Sequence, residues 1–131
     1  MTKSRKYKVL LVDDDKFLVD MYSLKFRENG LDVEAVLSSQ EALNKIKQND
    51  CFDVILLDLI MPVMDGFTLL ENIRKEKLAK NSAIIILSNQ GQKSDIDRVN
   101  KFDVDGYIIK ASTIPSEVLS SVIKIADEKF K

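Results

Sequence analysis

The sequence predicts a doubly wound α/β domain, a parallel sheet of five strands with five helices distributed over its two faces. Three observations predict it. Short apolar runs of strand length alternate with longer stretches of helical period along the whole chain. Four of the runs are apolar throughout, as strands covered on both faces are. Each of those four stops at residues that can do chemistry: Asp13-Asp14, Asp58, Ser88 and Lys110.

Taken in order, Tyr7 to Val12 reads as the first buried strand, ending in Asp13-Asp14-Asp15. Leu18, Met21, Tyr22 and Phe26 recur at helical spacing, Asp15 caps that helix, and Gly30 stops it as a residue with access to positive φ does. Leu31 to Val36 alternates, with Leu31, Val33 and Ala35 set against Asp32 and Glu34, which places it at a sheet edge. Ser38-Ser39-Gln40-Glu41 opens a second helix carrying Ala42, Leu43 and Ile46. The central strand runs to Leu57 and is followed by Asp58-Leu59-Ile60-Met61-Pro62, with Asp65 and Gly66 in the loop. A third helix is expected from Thr68 to about Leu78, turning Leu69, Leu70 and Ile73 inward. Ala83 to Leu87 is the fourth strand, halted by Ser88-Asn89-Gln90-Gly91. Ser94 is the expected cap of a short fourth helix, with Asp95 and Asp97 in its first turn, where the helix dipole favours acids. Tyr107-Ile108-Ile109 is the fifth strand, and Pro115 opens a last helix running towards Phe130.

Composition excludes several classes. The 131 residues suit one domain, 1–131, with no output domain expected, and 45% hydrophobic against 31% charged residues is ordinary for a globular chain. A net charge of -1 leaves no electrostatic footprint for nucleic acid or for a membrane surface. No apolar stretch reaches transmembrane length, and no apolar signal region follows Met1-Thr2-Lys3-Ser4-Arg5-Lys6. Cys51 is alone, so no internal disulfide forms and a reducing, cytoplasmic location is expected. The absence of histidine removes imidazole acid–base catalysis and imidazole metal ligands. The last helix carries Val118, Leu119, Val122, Ile123, Ile125, Ala126 and Phe130, a wider apolar arc than the roughly 100° a core-facing stripe needs. That width fits either a deeply buried helix or an apolar margin left for a partner or a second copy, so a monomer or weak dimer is expected.

In open α/β sheets the ligand site lies outside the carboxyl ends of the strands, and right-handed crossovers bring those ends to one rim. A carboxylate cluster, a hydroxyl and an ammonium should therefore meet at one edge. The bland alternatives are a loop-capping Asp58, a loop hydroxyl at Ser88, a surface lysine at 110 and a plain core ring at Tyr107. The joint pattern favours a site over these, and Asp15 keeps the capping role.

On Leu11-Val12-Asp13-Asp14-Asp15, Ile55 to Gly66, Ile86-Leu87-Ser88 and Tyr107-Ile108-Ile109-Lys110, the chain resembles a response-regulator receiver domain of two-component signalling. The resemblance implies a flavodoxin-like sheet of order 2-1-3-4-5, for which a member of this family is a standing example. It implies that Asp58 is the phosphoacceptor, taking a phosphoryl group from a phosphohistidine on a sensor histidine kinase or phosphotransfer protein. Mg²⁺ is the implied cofactor, held by Asp13, Asp14, Asp58 and the backbone carbonyl of Ile60; three carboxylates that repel one another call for such a hard cation. Ser88 and Lys110 would hold phosphoryl oxygens, and Ser88 with Tyr107 would switch the surface of the fourth helix, fifth strand and fifth helix. Such a module is not an enzyme in its own right, needs no nucleic acid or membrane, and passes its signal to an unnamed protein.

The chain departs from the family in three places. Ala111 follows Lys110 where proline, often after a cis bond, is usual; Asn89 stands where a small residue is usual; Asp103 replaces a glycine after the fourth helix. Ile60 and Asn89 flank the path of a hydrolytic water, so slow loss of phosphate is expected. Two other readings stay open at this point: a pseudo-receiver that binds but never takes phosphate, and a haloacid-dehalogenase-like phosphohydrolase, whose Asp-x-Asp motif Asp13-Asp14-Asp15 satisfies. The second leaves Asp58 to Pro62 unexplained and lacks a late acidic motif. A flavodoxin-type flavin carrier shares the architecture, but no phosphate-cradling loop follows the first strand.

Overall fold

The structure, a computed structural model, describes residues 6–48, 51–89 and 91–131. The expectations on Met1 to Arg5 and on Gln90 lie outside those residues. Five strands, β1 (Lys8–Val12), β2 (Asp32–Val36), β3 (Val54–Leu57), β4 (Ala83–Ser88) and β5 (Gly106–Ile109), form one sheet in the order β2-β1-β3-β4-β5. Every pairing is parallel, with Val9 opposite both Val33 and Val54, Ile55 opposite Ile84, and Ile86 opposite Tyr107. The order reverses between β1 and β3, and the acids stand at that switch point.

Alternation along the strands divides the interior in two. Leu10, Val12, Ile55, Leu57, Ile84 and Ile86 point to a core shared with α2 (Ser39–Gln48), α3 (Gly66–Lys75) and α4 (Lys93–Asn100). Val9, Leu11, Val54, Leu56, Ile85 and Leu87 point to a second core under α1 (Lys16–Glu28) and α5 (Pro115–Lys129). All of these side chains are buried, which contributes about 1.5–3 kcal/mol each for residues of this size. Strands so covered must be apolar on both faces, which is why β1, β3 and β4 read as unbroken runs.

Helix ends differ from expectation in instructive ways. Asp15 caps α1, its carboxylate accepting from the amides of Phe17 and Leu18. Beyond α1, Gly30 sits at φ 88°, the Gly30 amide donates to Arg27 O and the Leu31 amide to Phe26 O, a Schellman ending. The third helix starts at Gly66, not Thr68, because Asp65 is the cap and the Thr68 amide is the donor it satisfies. It stops at Lys75, short of Leu78, in the same Schellman geometry with Lys77 at φ 57° in the glycine position. Ser94 caps nothing; Gln92 precedes α4 without a side-chain bond, and Ser94 lies inside the first turn. Asp97 pairs with Lys93 at 3.1 Å, while Asp95 is the acid of the first turn. Ala35, expected inward, is exposed at the sheet edge although Val33 on the same face is buried.

Asp103 takes φ 55°, as expected where glycine is usual. Arg74 of α3 donates to the carbonyls of Phe102 (2.8 Å) and Asp103 (3.2 Å), tying α3 to the end of α4. The peptide after Lys110 is trans, and Lys110–Ser112 form a 3₁₀ turn that the sequence did not signal. The broad apolar arc of α5 is absorbed by its own fold. Val118, Leu119, Val122 and Ala126 are buried, and Ile123, Ile125 and Phe130 pack partly buried against the second core.

Candidate functional site

The β1 and β3 ladders continue one residue past the strands. The Asp13 amide donates to Val36 O at 3.3 Å and the Asp58 amide to Val12 O at 3.0 Å, so both acids are pinned by backbone. Each then spends one carboxylate oxygen on the chain just ahead. Asp13 Oδ1 accepts from the Asp15 amide at 3.0 Å and Asp58 Oδ1 from the Ile60 amide at 3.3 Å. These local bonds are the Asx-type turns that aspartate favours. The other oxygens face Lys110, whose Nζ lies 2.5 Å from Asp13 Oδ2 and 3.3 Å from Asp58 Oδ2.

Asp13 and Asp58 are 2% and 6% exposed; Asp14 is exposed at the mouth. Carboxylate oxygens of Asp13, Asp14 and Asp58 all lie within 4.8 Å of one another. Burial alone would lower the Lys110 ammonium, but the hydrogen bond to Asp13 and the charges of Asp58 and Asp13 outweigh it and hold Lys110 above its ordinary range. Even so, one ammonium against three carboxylates leaves a surplus of negative charge in a partly buried pocket. A hard divalent cation with oxygen ligands fits that donor set, and Mg²⁺ suits it because it needs few protein ligands and keeps water.

The loop after Asp58 is shaped by backbone. Gly66 sits so near that a Cβ there would lie 2.3 Å from Asp58 O and 2.7 Å from Leu59 Cα, and its amide donates to Leu59 O. Val63 occupies φ 70° within a tight turn in which the Met64 amide reaches Pro62 O at 2.8 Å. A branched residue in that conformation is strained by roughly 1–3 kcal/mol. Ile60 is about half exposed beside the acids.

Ser88 ends β4 fully buried, opposite Ile109 and hence one step from Lys110. Tyr107 is partly buried against the first core, and burial, with Asp95 and Asp58 nearby, raises its phenol. The fold thus brings Asp13, Asp14, Asp58 and Lys110 into one cluster, with Ser88 at the end of β4 and Tyr107 two residues short of the end of β5. One neighbour was missed. Tyr22 of α1 lines a cleft with Lys110, and its phenol is raised by burial, with Lys110 and Asp13 acting on it as well. Its apolar spacing marked it as core, and only its polar tip, on a buried position about two turns beyond the acids, hinted at more.

A doubly wound sheet with an acid cluster at its switch point and a lysine closing it defines an α/β domain with a candidate cation site at its rim. The model of the response regulator receiver domain matches residues 9–123, and the chain belongs to that family. It is 39% identical over 92 residues to the transcriptional regulatory protein CpxR homolog of Haemophilus influenzae, covering 70% of this chain and 37% of that protein. It is 36% identical over 108 residues to hybrid signal transduction histidine kinase L of Dictyostelium discoideum, covering 79% of this chain and 6% of that one. The chain therefore spans well under two thirds of these curated relatives. Among solved structures, the receiver domain of the Francisella response regulator 1452 superposes with a TM-score of 0.84 at 33% identity, covering 94% of this chain and 98% of that one. Receiver domains are signalling modules of two-component systems, accept phosphate as a family property, and work with histidine kinases or phosphotransfer proteins. The family match sets aside the phosphohydrolase and the flavin carrier. Among the described residues no helix is long and apolar enough to cross a membrane.

Proposed function

We propose that the chain is one receiver domain in which Asp58 accepts a phosphoryl group from a phosphohistidine of a partner kinase or phosphotransfer protein. The observation that carries the reading is the split use of the two buried acids, one oxygen held by backbone and the other free to deal with Lys110 and the ligand. In the transfer an Asp58 carboxylate oxygen attacks phosphorus, the phosphorus–nitrogen bond of the donor breaks, and the imidazole leaves with the electron pair. Asp13, Asp14, Asp58 and the Ile60 carbonyl would hold Mg²⁺, which when bound offsets the charge of carboxylates and phosphoryl oxygens. Lys110 trades its present contact with Asp58 for a phosphoryl oxygen, and Ser88 donates to another. Reseating of Ser88 and Tyr107 then alters the α4-β5-α5 face, the output of the switch.

Intact mass after treatment with acetyl phosphate and Mg²⁺ tests this. The wild-type chain should gain one phosphoryl group and Asp58→Asn none. Equal gain in both would move the acceptor elsewhere. No gain in either would leave a pseudo-receiver, a binding module only.

A further inference from the structure

Lys110 carries much of the site, yet its backbone is loosely held. It opens a 3₁₀ turn whose closing contacts are long, Thr113 N to Lys110 O at 3.3 Å and Ser112 Oγ to Ile109 O at 3.5 Å, and no proline follows it. A four-carbon stem leaving such a turn has many rotamers available, and ordering it is costly.

A cleft of about 590 Å³ separates α1 from the segment 110–115, and Tyr22 and Lys110 both line it. Tyr22 is 4% exposed, and behind it stands Phe26, fully buried, with ring centroids 6.3 Å apart and planes tilted by 55°. The ring is thus packed against Phe26 while Tyr22 contributes to the lining of the cleft. Lys110 and Asp13 are both near enough to act on its phenol.

We propose that Tyr22 is a positioning residue whose ring, packed against Phe26, confines the Lys110 side chain against Asp13 and Asp58, supplying the order that the turn after Lys110 does not. The proposal rests on the reading of Asp58 as phosphoacceptor, and it has a consequence of its own. Lys110 and a divalent cation compete for the same oxygens of Asp13 and Asp58. Releasing Lys110 from the Tyr22 ring helps the cation and harms phosphoryl transfer. General loosening of the fold would weaken both together.

The test is Tyr22→Leu, with Tyr22→Phe and Lys110→Ala beside it. Mg²⁺ affinity is read by titration of backbone amide resonances, and acceptor competence by the rate of phosphorylation from acetyl phosphate. In Tyr22→Leu, Mg²⁺ binding should tighten about threefold and phosphorylation slow about tenfold, within the range of couplings between neighbouring side chains. Tyr22→Phe, which keeps the ring, should restore most of the rate. In the Lys110→Ala background, Tyr22→Leu should change Mg²⁺ affinity by less than about twofold, since the group it acts through is gone. Parallel loss of affinity and rate in Tyr22→Leu, an undiminished effect without Lys110, or a Tyr22→Phe as impaired as Tyr22→Leu would each overturn the proposal. Wild-type protein that takes no phosphate would sink the acceptor reading instead, leaving the Mg²⁺ arm to decide Tyr22.

Discussion

Gly66 shows how little room the loop after Asp58 allows. Its missing side chain is a requirement of close approach, since any Cβ would press on the Asp58 carbonyl and the Leu59 backbone, neither of which can swing aside. Gly66→Ala should therefore lose about 1–3 kcal/mol in urea unfolding, the usual cost of forced overpacking, and slow phosphorylation in the same sample. Wild-type stability and rate together would show that the loop relaxes freely. The glycine itself was visible in the sequence as a turn signal, but its reason was not, because a clash with a residue eight positions back depends on how the loop folds over. Asp13, Asp14, Asp58 and Lys110 were legible because strand ends in a parallel sheet must converge. Tyr22 was not, because an aromatic at helical spacing reads as core whichever way its hydroxyl tip lies.

At the scale of elements, caps separate what could be read from what could not. Asp15 sits before a helical run and accepts from two first-turn amides, Phe17 and Leu18 at 3.1 and 3.3 Å. Asp15→Ala should lower stability by about 1 kcal/mol, seen as an earlier urea midpoint with unchanged slope. An unchanged midpoint would mean that water replaces the cap without loss. The ends of α1 and α3 share one hydrogen-bond pattern, yet only the first was legible. Gly30 advertises a left-handed residue; Lys77 adopts the same geometry with nothing in its chemistry to announce it. Ser94 misled for the converse reason, since a good capping residue was available but the chain enters the helix two residues earlier.

At the scale of the whole molecule, the proton equilibria of Tyr22, Tyr107 and Lys110 point one way. Tyr22 and Tyr107 are raised chiefly by burial; Lys110 is raised because its bonds and charges from Asp13 and Asp58 outweigh burial. In each case the folded chain holds its proton more tightly than the unfolded one, so stability falls wherever the unfolded state has let go and the folded state has not. Their contribution is complete below the ordinary values of 10.0 for tyrosine and 10.5 for lysine, and is lost as pH climbs past them. Unfolding free energy should accordingly decline above about pH 10 through these groups, and less so in Lys110→Ala. A decline of equal size in that variant would remove Lys110 from the account. The double layer of core was foreseeable because apolar strands need cover on both sides, whereas the sheet order was what the family resemblance implied. The exposure of Ala35 was not, since alternation marks a face but not how far along an edge strand the cover extends.

The ladder bonds that reach past β1 and β3 make the acids part of the sheet's own fabric. The amides of Asp13 and Asp58 donate to Val36 O and Val12 O at 3.3 and 3.0 Å as continuations of the parallel ladder, whereas the turn from Lys110 to Ser112 lies beyond β5 and is closed by the Thr113 amide on Lys110 O at 3.3 Å. In deuterium exchange the first two should survive until the entire domain opens, and the turn should exchange far sooner. On the proposed reading, acceptor and cation seat should then be as immobile as the fold itself, and what moves during signalling should be drawn from the side that carries the amine.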